Sequence, residues 1–356
     1  MLAITPGHAG ASNLPNQDAH DSLKLVAIGG GTGLSTLLSG LKRYVGECDD
    51  GLWLDSLSAI VTVSDDGGSS GRLRDELQIL PPGDIRNCMI ALSEDSTLLS
   101  RLFRYRFRGS GDLAGHSFGN LFLAALADVT GDFVEAVRLS SEVLASKGHI
   151  FPATLNDVRL VAELEDGRVV HGETQITAAR SPIKRLRLEP EQCLPLPATI
   201  AAIRSADVIT IGPGSLYTSI IPNLLVAWVA DAIGKSSATR IFIANLMTQP
   251  GETDGYDISQ HLEAVQKYAP QIRFDYAVLN NRPISVKQAK TYRADGAYQV
   301  GLNEKDLGML DPQTEVVRTD LLDQGEMVRH DSERLARIVI TCAEKARSRN
   351  LAGVQS

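Results

Sequence analysis

Two glycine-rich runs dominate the chemistry this chain could do. They are Gly29-Gly30-Gly31-Thr32-Gly33-Leu34-Ser35-Thr36 and Gly212-Pro213-Gly214-Ser215-Leu216-Tyr217-Thr218-Ser219. Each follows a short apolar stretch and leads into residues with helical spacing. Glycine lacks a Cβ, so its backbone can approach a phosphate closely, and the helix that follows presents unpaired N–H groups and a positive dipole end. Gly30, Gly31, Thr32, Gly33 and Leu34 in the first run, and Gly212, Pro213, Gly214 and Ser215 in the second, are therefore candidate phosphate contacts. Two such loops suit a ligand that carries a diphosphate. In the first run Leu34 stands where a dinucleotide fingerprint has its third glycine, and no Lys follows as a P-loop requires. Both a simple NAD site and a Walker-type ATPase are disfavoured.

Acids come next. Asp65 and Asp66 close an apolar run and open Gly67-Gly68-Ser69-Ser70-Gly71. An acid there can reach a ribose hydroxyl or help bind a metal-bridged phosphate. Asp65, Asp66, Gly67, Gly68 and Ser69 are taken as ligand-facing. Asp84, behind Pro81-Pro82-Gly83, reads both as a helix N-cap and as a ligand contact. No cofactor is required by the sequence. His116 and Asn120, in Gly115-His116-Ser117-Phe118-Gly119-Asn120, precede a helix. A lone His is more often a structural hydrogen-bonder than a catalyst, and no nucleophile is paired with it. Asn245 and Thr248, followed by Gly251 and Thr253, fit either a loop recognising a sugar or base or a plain polar turn. No catalytic residue is assigned.

The elements that must position these residues alternate in type. Strands are expected at Leu23 to Ile28, Ala59 to Ser64, Asp207 to Ile211, Arg240 to Ala244 and Phe274 to Leu279, separated by helix-length segments. That order predicts an α/β fold: a Rossmann-like, doubly wound, mostly parallel sheet covered on both faces. A helical layer is expected from Asp84 to about Ala145, with Leu98, Leu102, Tyr105, Phe133, Val137 and Val143 among its buried faces. Alternation from about Ile150 to Leu188, around an Asp166-Gly167 turn, predicts a small antiparallel excursion. Leu335, Ile338, Val339 and Cys342 form the stripe of a closing helix. Residues 1–22 are expected to be a flexible extension, 23–348 a single domain, and 349–356 a flexible tail.

Composition sets outer bounds. The 356 residues hold 43 acids against 35 Lys and Arg, a formal net charge of -8, with the bases scattered among acids. No basic face for nucleic acid is expected. Cys48, Cys88, Cys193 and Cys342 lie far apart, which disfavours a zinc site or a disulfide framework. The N-terminus lacks the order of a signal peptide, and the stretch Ile220 to Ile233 is broken by Pro222, Asn223 and Asp231, so a cytoplasmic protein without membrane insertion is expected.

In order, Gly-Gly-Gly-Thr-Gly-Leu-Ser, Val-Ser-Asp-Asp-Gly-Gly-Ser-Ser-Gly-Arg-Leu-Arg, Pro-Pro-Gly-Asp-Ile-Arg-Asn, Gly-His-Ser-Phe-Gly-Asn, Gly-Pro-Gly-Ser-Leu-Tyr-Thr-Ser and Met-Thr-Gln-Pro-Gly-Glu-Thr closely resemble the bacterial gluconeogenesis factor family of YvcK type. The resemblance spans about Leu23 to Arg347. It implies a UDP-sugar ligand such as UDP-N-acetylglucosamine and a regulatory role in cell shape and envelope synthesis on gluconeogenic carbon sources, through a protein partner in cell-wall synthesis. A homodimer is plausible on the same footing. The wider YvcK/CofD-like superfamily also contains 2-phospho-L-lactate transferase, which uses a nucleotide diphosphate donor, a deazaflavin acceptor and a divalent metal; its metal-binding acids are similar in placement to Asp65 or Asp66 and Asp84, so the resemblance implies Asp66 and Asp84 as a candidate metal pair, with Mg2+ the candidate ion. The run Gly67 to Gly71 and the following Arg72-Leu73-Arg74 depart from the transferase pattern, so a metal-dependent transfer of a phosphoryl-linked group stands as the alternative.

Overall fold

The computed structural model describes residues 22–46, 53–94, 98–302 and 311–354. Residues 1–21, expected to be an extension, and Cys48 lie outside them. Ten strands occur among the described residues: β1 (Ser22–Gly29), β2 (Trp53–Val61), β3 (His149–Pro152), β4 (Arg159–Leu164), β5 (Val169–His171), β6 (Ile183–Glu189), β7 (Val208–Ile211), β8 (Thr239–Ile243), β9 (Tyr276–Asn280) and β10 (Glu315–Thr319). Seven form one sheet in the order β10-β9-β8-β7-β1-β2-β3, and every neighbouring pair in it is parallel. The expected doubly wound α/β fold is present. The remaining three make the antiparallel excursion, in the order β5-β4-β6.

Along the central strands successive side chains enter alternate cores, because they leave a strand on opposite faces and both faces are covered. Val26, Ile28, Ile60, Ile209, Ile211 and Phe242 point into one core, which also takes the small antiparallel sheet through Leu160, Ala162, Leu186 and Leu188. Leu25, Ala27, Ala59, Val61, Val208 and Ile241 point into the other, against the helices Gly31–Leu41, Gly83–Leu92 and Ser332–Val354. Two adjacent strands govern function. The chain winds from β1 through β2 to β3 on one side, then restarts at β7 on the other side of β1, pairing Ile28 with Ile211. The carboxyl ends of β1 and β7 thus flank the topological switch point, where an open α/β sheet leaves a crevice.

Several expectations need correcting. β3 joins the main sheet instead of opening the excursion, because its four residues pair in parallel with Ser58–Val61 of β2. β10 had no signal strong enough to read, being a half-buried edge strand with charged residues in it. The run Asp65 to Gly71 is not all loop, since a helix, Gly68–Leu77, starts inside it. In the helical layer, Leu98, Leu102 and Tyr105 are 68%, 38% and 48% exposed, and Val143 is exposed as well. The closing helix runs on to Val354, through most of the segment expected to be a tail. Cys88, Cys193 and Cys342 are free and buried. Among the described residues no single helix is long and apolar enough to cross a membrane.

The helix that leaves the first glycine loop is pinned by the closing helix at one point. A Cβ on Gly40 would sit 1.9 Å from the Ser332 carbonyl oxygen and 2.8 Å from Ala336 Cβ. Gly40→Ala must therefore push two backbones apart, and a loss of roughly 1–3 kcal/mol is expected. Urea unfolding should show the midpoint lowered at unchanged slope, and an unaltered midpoint would refute the close approach.

Candidate functional site

The first glycine loop begins where β1 ends. Gly30 is extended, and Gly31, at φ +64, turns the chain into the helix Gly31–Leu41. The second follows β7, where Gly212 takes φ +85 and the chain passes through Pro213 to a tight turn at Leu216–Ile220. These loops touch. A Cβ on Gly33 would lie 2.5 Å from the Pro213 carbonyl oxygen, and one on Gly214 would lie 3.3 Å from the Gly30 carbonyl oxygen. Side chains lock the pair. Asn245, just past β8, accepts from the Gly214 N–H at 3.0 Å and donates to its carbonyl at 2.7 Å. Asn223 Nδ2 donates to the Gly29 and Ser219 carbonyls at 3.0 and 2.7 Å, while Gln249 Nε2 donates to Ser215 Oγ.

Together the loops wall a cavity of about 300 Å3, lined by Gly30, Gly31, Thr32, Gly33, Pro213, Gly214, Ser215 and Asn245, and also by Gln249, Arg329 and His330. Eight of the expected contacts thus share one cavity. Gly212, Leu34 and Thr248 do not line it; Gly212 packs its Cα against the Ile243 carbonyl, where a Cβ would lie 2.6 Å away. Leu34 is fully buried in the core beneath the loop. Thr248 is buried, its hydroxyl accepting from the Tyr298 N–H at 2.9 Å, and so fixes the loop instead of facing a ligand.

The acids separate in role. Asp84 is not the cap of its helix, which starts at Gly83 behind Pro82. Its carboxylate instead reaches across the cleft and accepts from the Gly31 N–H at 2.8 Å. Burial, then the charge of Asp65, raise its pKa to about 6. Asp65 Oδ1 accepts from the Gly67 N–H at 2.8 Å, and Oδ2 lies 3.2 Å from the position of a Cβ on Gly83. Asp66 turns elsewhere. Its Oδ1 accepts from the backbone and hydroxyl of Thr174 at 3.0 and 2.8 Å, starting the helix Glu173–Ala179 of the excursion, and Oδ2 abuts Gly172. Asp65, rather than Asp66, is the acid beside Asp84. Among the described residues no group of three or more His, Cys, Asp or Glu side chains is arranged to hold a metal.

His116, Ser69 and Asn120 form a buried network rather than a wall of the cavity. Ser69 Oγ lies 2.9 Å from His116 Nδ1 and accepts from Asn120 Nδ2 at 3.1 Å. Arg86 donates to Asn120 Oδ1 at 3.0 Å and to Ser117 Oγ. Burial lowers the His116 pKa, assisted by Arg72. The neutral ring is a tie between the helix Gly68–Leu77 and the segment that begins the helix Phe118–Thr130. Gly68, at φ +50, supplies the turn into the former.

Several site residues escaped the sequence reading, among them Arg329 and His330 of the first cavity. Glu173 lines a second cavity, of about 560 Å3, with Asp65, Gly67, Thr174 and Arg180. Burial, then Asp65, Asp84 and Glu252, raise its pKa to about 9. Glu252 is 4% exposed, accepts from the Thr177 hydroxyl at 3.3 Å and has its pKa raised to about 7, chiefly by burial. Gln249 reaches Ser215. The last two sit in Met-Thr-Gln-Pro-Gly-Glu-Thr, so a signal existed for them. Glu173 had none, because only the fold of the excursion brings it to Asp65.

A doubly wound α/β protein with two mutually packed glycine loops at its switch point is the class these features define. The chain belongs to the CofD family, whose model, 2-phospho-L-lactate transferase CofD, matches residues 25–322. The putative gluconeogenesis factor of Nostoc sp. is 48% identical over 318 residues, covering 89% of this chain and 68% of that protein. The gluconeogenesis factor of Bacillus subtilis is 45% identical, covering 89% of this chain and 97% of that protein. The solved structure of protein BH3568 from Bacillus halodurans is similar with a TM-score of 0.84 at 43% identity, covering 90% of this chain and 99% of that one. A second structure of it is described as a member of the UPF0052 family.

The raised acids set a pH dependence. A carboxyl with a higher pKa folded than unfolded binds a proton in the folded state that the unfolded chain has lost, so stability falls as pH rises towards the folded value. For Glu252 the fall runs from its ordinary value of 4.5 to about 7, and for Glu173 it continues from 4.5 to about 9, so between pH 7 and 9 Glu173 carries the effect. Buried histidines such as His330, lowered to about 4, act in the opposite sense at lower pH and are neutral across this window. The melting temperature is expected to drop from pH 7 to 9, and Glu173→Gln to flatten that drop. An identical slope in the variant would remove Glu173 from the coupled cluster.

Proposed function

We propose that this chain is a nucleotide-sugar-binding regulatory protein whose two glycine loops hold the diphosphate of a UDP-sugar such as UDP-N-acetylglucosamine. The observation that supports this reading most is the meeting of the loops across the switch point, where backbone of both strand ends borders one cavity. Backbone N–H groups at the start of the helix Gly31–Leu41, apart from that of Gly31, which Asp84 takes, suit an anion without a lysine. The reading places the protein in the cytoplasm, where it supports cell shape and envelope synthesis on gluconeogenic carbon sources through a protein partner in cell-wall synthesis. Its support is that relatives 42–48% identical carry the name gluconeogenesis factor.

A divalent cation such as Mg2+ fits the adjacent acids. Asp84 is buried beside Asp65 and pushed up to about 6, and a cation between them would offset that repulsion. Asp65 and Asp84 are the residues that would hold it. There the metal would neutralise charge on a diphosphate. The second reading, transfer of a phosphoryl-linked group from a nucleotide diphosphate donor, draws on the family model.

Calorimetric titration with UDP-N-acetylglucosamine, with and without Mg2+, followed by chromatography of the recovered ligand, separates the readings. Micromolar affinity with intact ligand is expected. Cleavage or transfer would favour the enzyme, and absence of binding would overturn the sugar-nucleotide assignment. In the same assay Gly33→Ala, whose Cβ would strike Pro213, is expected to weaken binding at least tenfold, about 1.4 kcal/mol.

A further inference from the structure

The exposed leucines of the helix Leu98–Arg104 have no role in the site. Only Ser100 and Phe103 of this helix are buried, with Phe103 packed edge-on against Phe118 and tilted against Phe122. Leu98, Leu99 and Leu102 are 68%, 39% and 38% exposed, and Tyr105, one turn on, is 48% exposed. Leu98, Leu102 and Tyr105 follow i, i+4, i+7 spacing, so the outer face of the helix carries an apolar stripe.

The chain then forms a hairpin. The Phe107 N–H donates to the His116 carbonyl at 2.9 Å, the Gly115 N–H to the Phe107 carbonyl at 3.0 Å, and the Phe118 N–H to the Tyr105 carbonyl at 2.9 Å. Arg72 anchors its return arm by donating to the Ala114 carbonyl at 2.7 Å. The tip projects, since a Cβ on Gly109 or Gly111 would meet nothing within 4 Å, and Leu113 on it is 53% exposed.

Charge distinguishes this face from the rest of the molecule. Residues 98–117 contain Arg101, Arg104, Arg106 and Arg108 against the single acid Asp112, a net charge of +3 in a chain of net charge -8. Arg101, Arg104, Arg106 and Arg108 are all exposed. Glu94 and Asp95 precede this segment in the chain, and within it the bases are clustered.

We propose that the helix Leu98–Arg104 and the hairpin after it dock peripherally on an anionic lipid surface. Exposed leucines enter the boundary between headgroups and acyl chains, Tyr105 lies at that boundary, and the arginines meet lipid phosphates. A second copy is a poor occupant, because a two-fold contact would set the +3 face against itself. Negative charge elsewhere on the chain disfavours other orientations on an anionic membrane. The face shares none of the residues lining the glycine-loop cavity, so this docking stands independently of the proposed ligand.

The test is sedimentation of the full chain with vesicles of equal parts phosphatidylglycerol and phosphatidylcholine, compared with phosphatidylcholine alone. Binding is expected to the first only and to weaken with added salt. Arg101→Glu with Arg108→Glu, and separately Leu98→Ser with Leu102→Ser, are each expected to reduce the affinity at least about tenfold at an unchanged melting temperature. No binding to anionic vesicles, equal binding to both, or variants that bind like the parent would overturn the proposal. So would a dimer of the parent chain that the leucine variant converts to monomer, since the face would then be a self-association surface.

Discussion

Two strand ends must come within one atomic layer of each other before anything at the switch point can form. Gly33 and Pro213 meet at a distance that leaves no room for a Cβ, and Gly214 lies close against Gly30. Each loop is the other's wall. The contact depends in turn on β1 and β7 being neighbours, which follows from the chain reversing its winding direction after β3. Asn245 and Asn223 hold the arrangement by bonding to backbone, so the site's shape is written in carbonyls and amides rather than in mobile side chains. Asp84 completes it from the other half of the sheet by taking up the Gly31 N–H.

The same closeness creates an electrostatic tension. Asp65, Asp84, Glu173 and Glu252 converge from four separate segments; burial and repulsion from neighbouring acids drive Asp84 and Glu173 towards the protonated form, and burial alone drives Glu252. A cluster of this kind is stable only when protons or a cation offset its charge. Asp66, which looked equivalent to Asp65 as a neighbour in the chain, turns instead to the start of the excursion's helix, where it accepts from Thr174. One peptide unit separates two unlike roles.

Patterns of residue type were readable where local physics decides them. The alternation of apolar runs with helical spacing identified five of the seven main-sheet strands, and the glycine runs fell at the ends of β1 and β7. β3 and β10 were not readable, because four residues that include a Pro and an exposed His, and five half-buried ones that include Glu315 and Arg318, leave no continuous apolar run such as that of β7. Leu98, Leu102 and Tyr105 misled for a related reason: helical spacing reports that a face is apolar, and says nothing of which way the face is turned.

By itself, then, the sequence determined the α/β class, the two loops and the acids that border them, since glycine freedom, strand alternation and chain order act within a few residues. Only the tertiary structure decided that the loops share one cavity, that Asp65 rather than Asp66 sits beside Asp84, that His116 is a buried tie, and that Glu173 joins the cluster. Each of these depends on residues tens to more than a hundred positions apart, and their proximity is set by the packing of the sheet and the excursion, which no local pattern encodes.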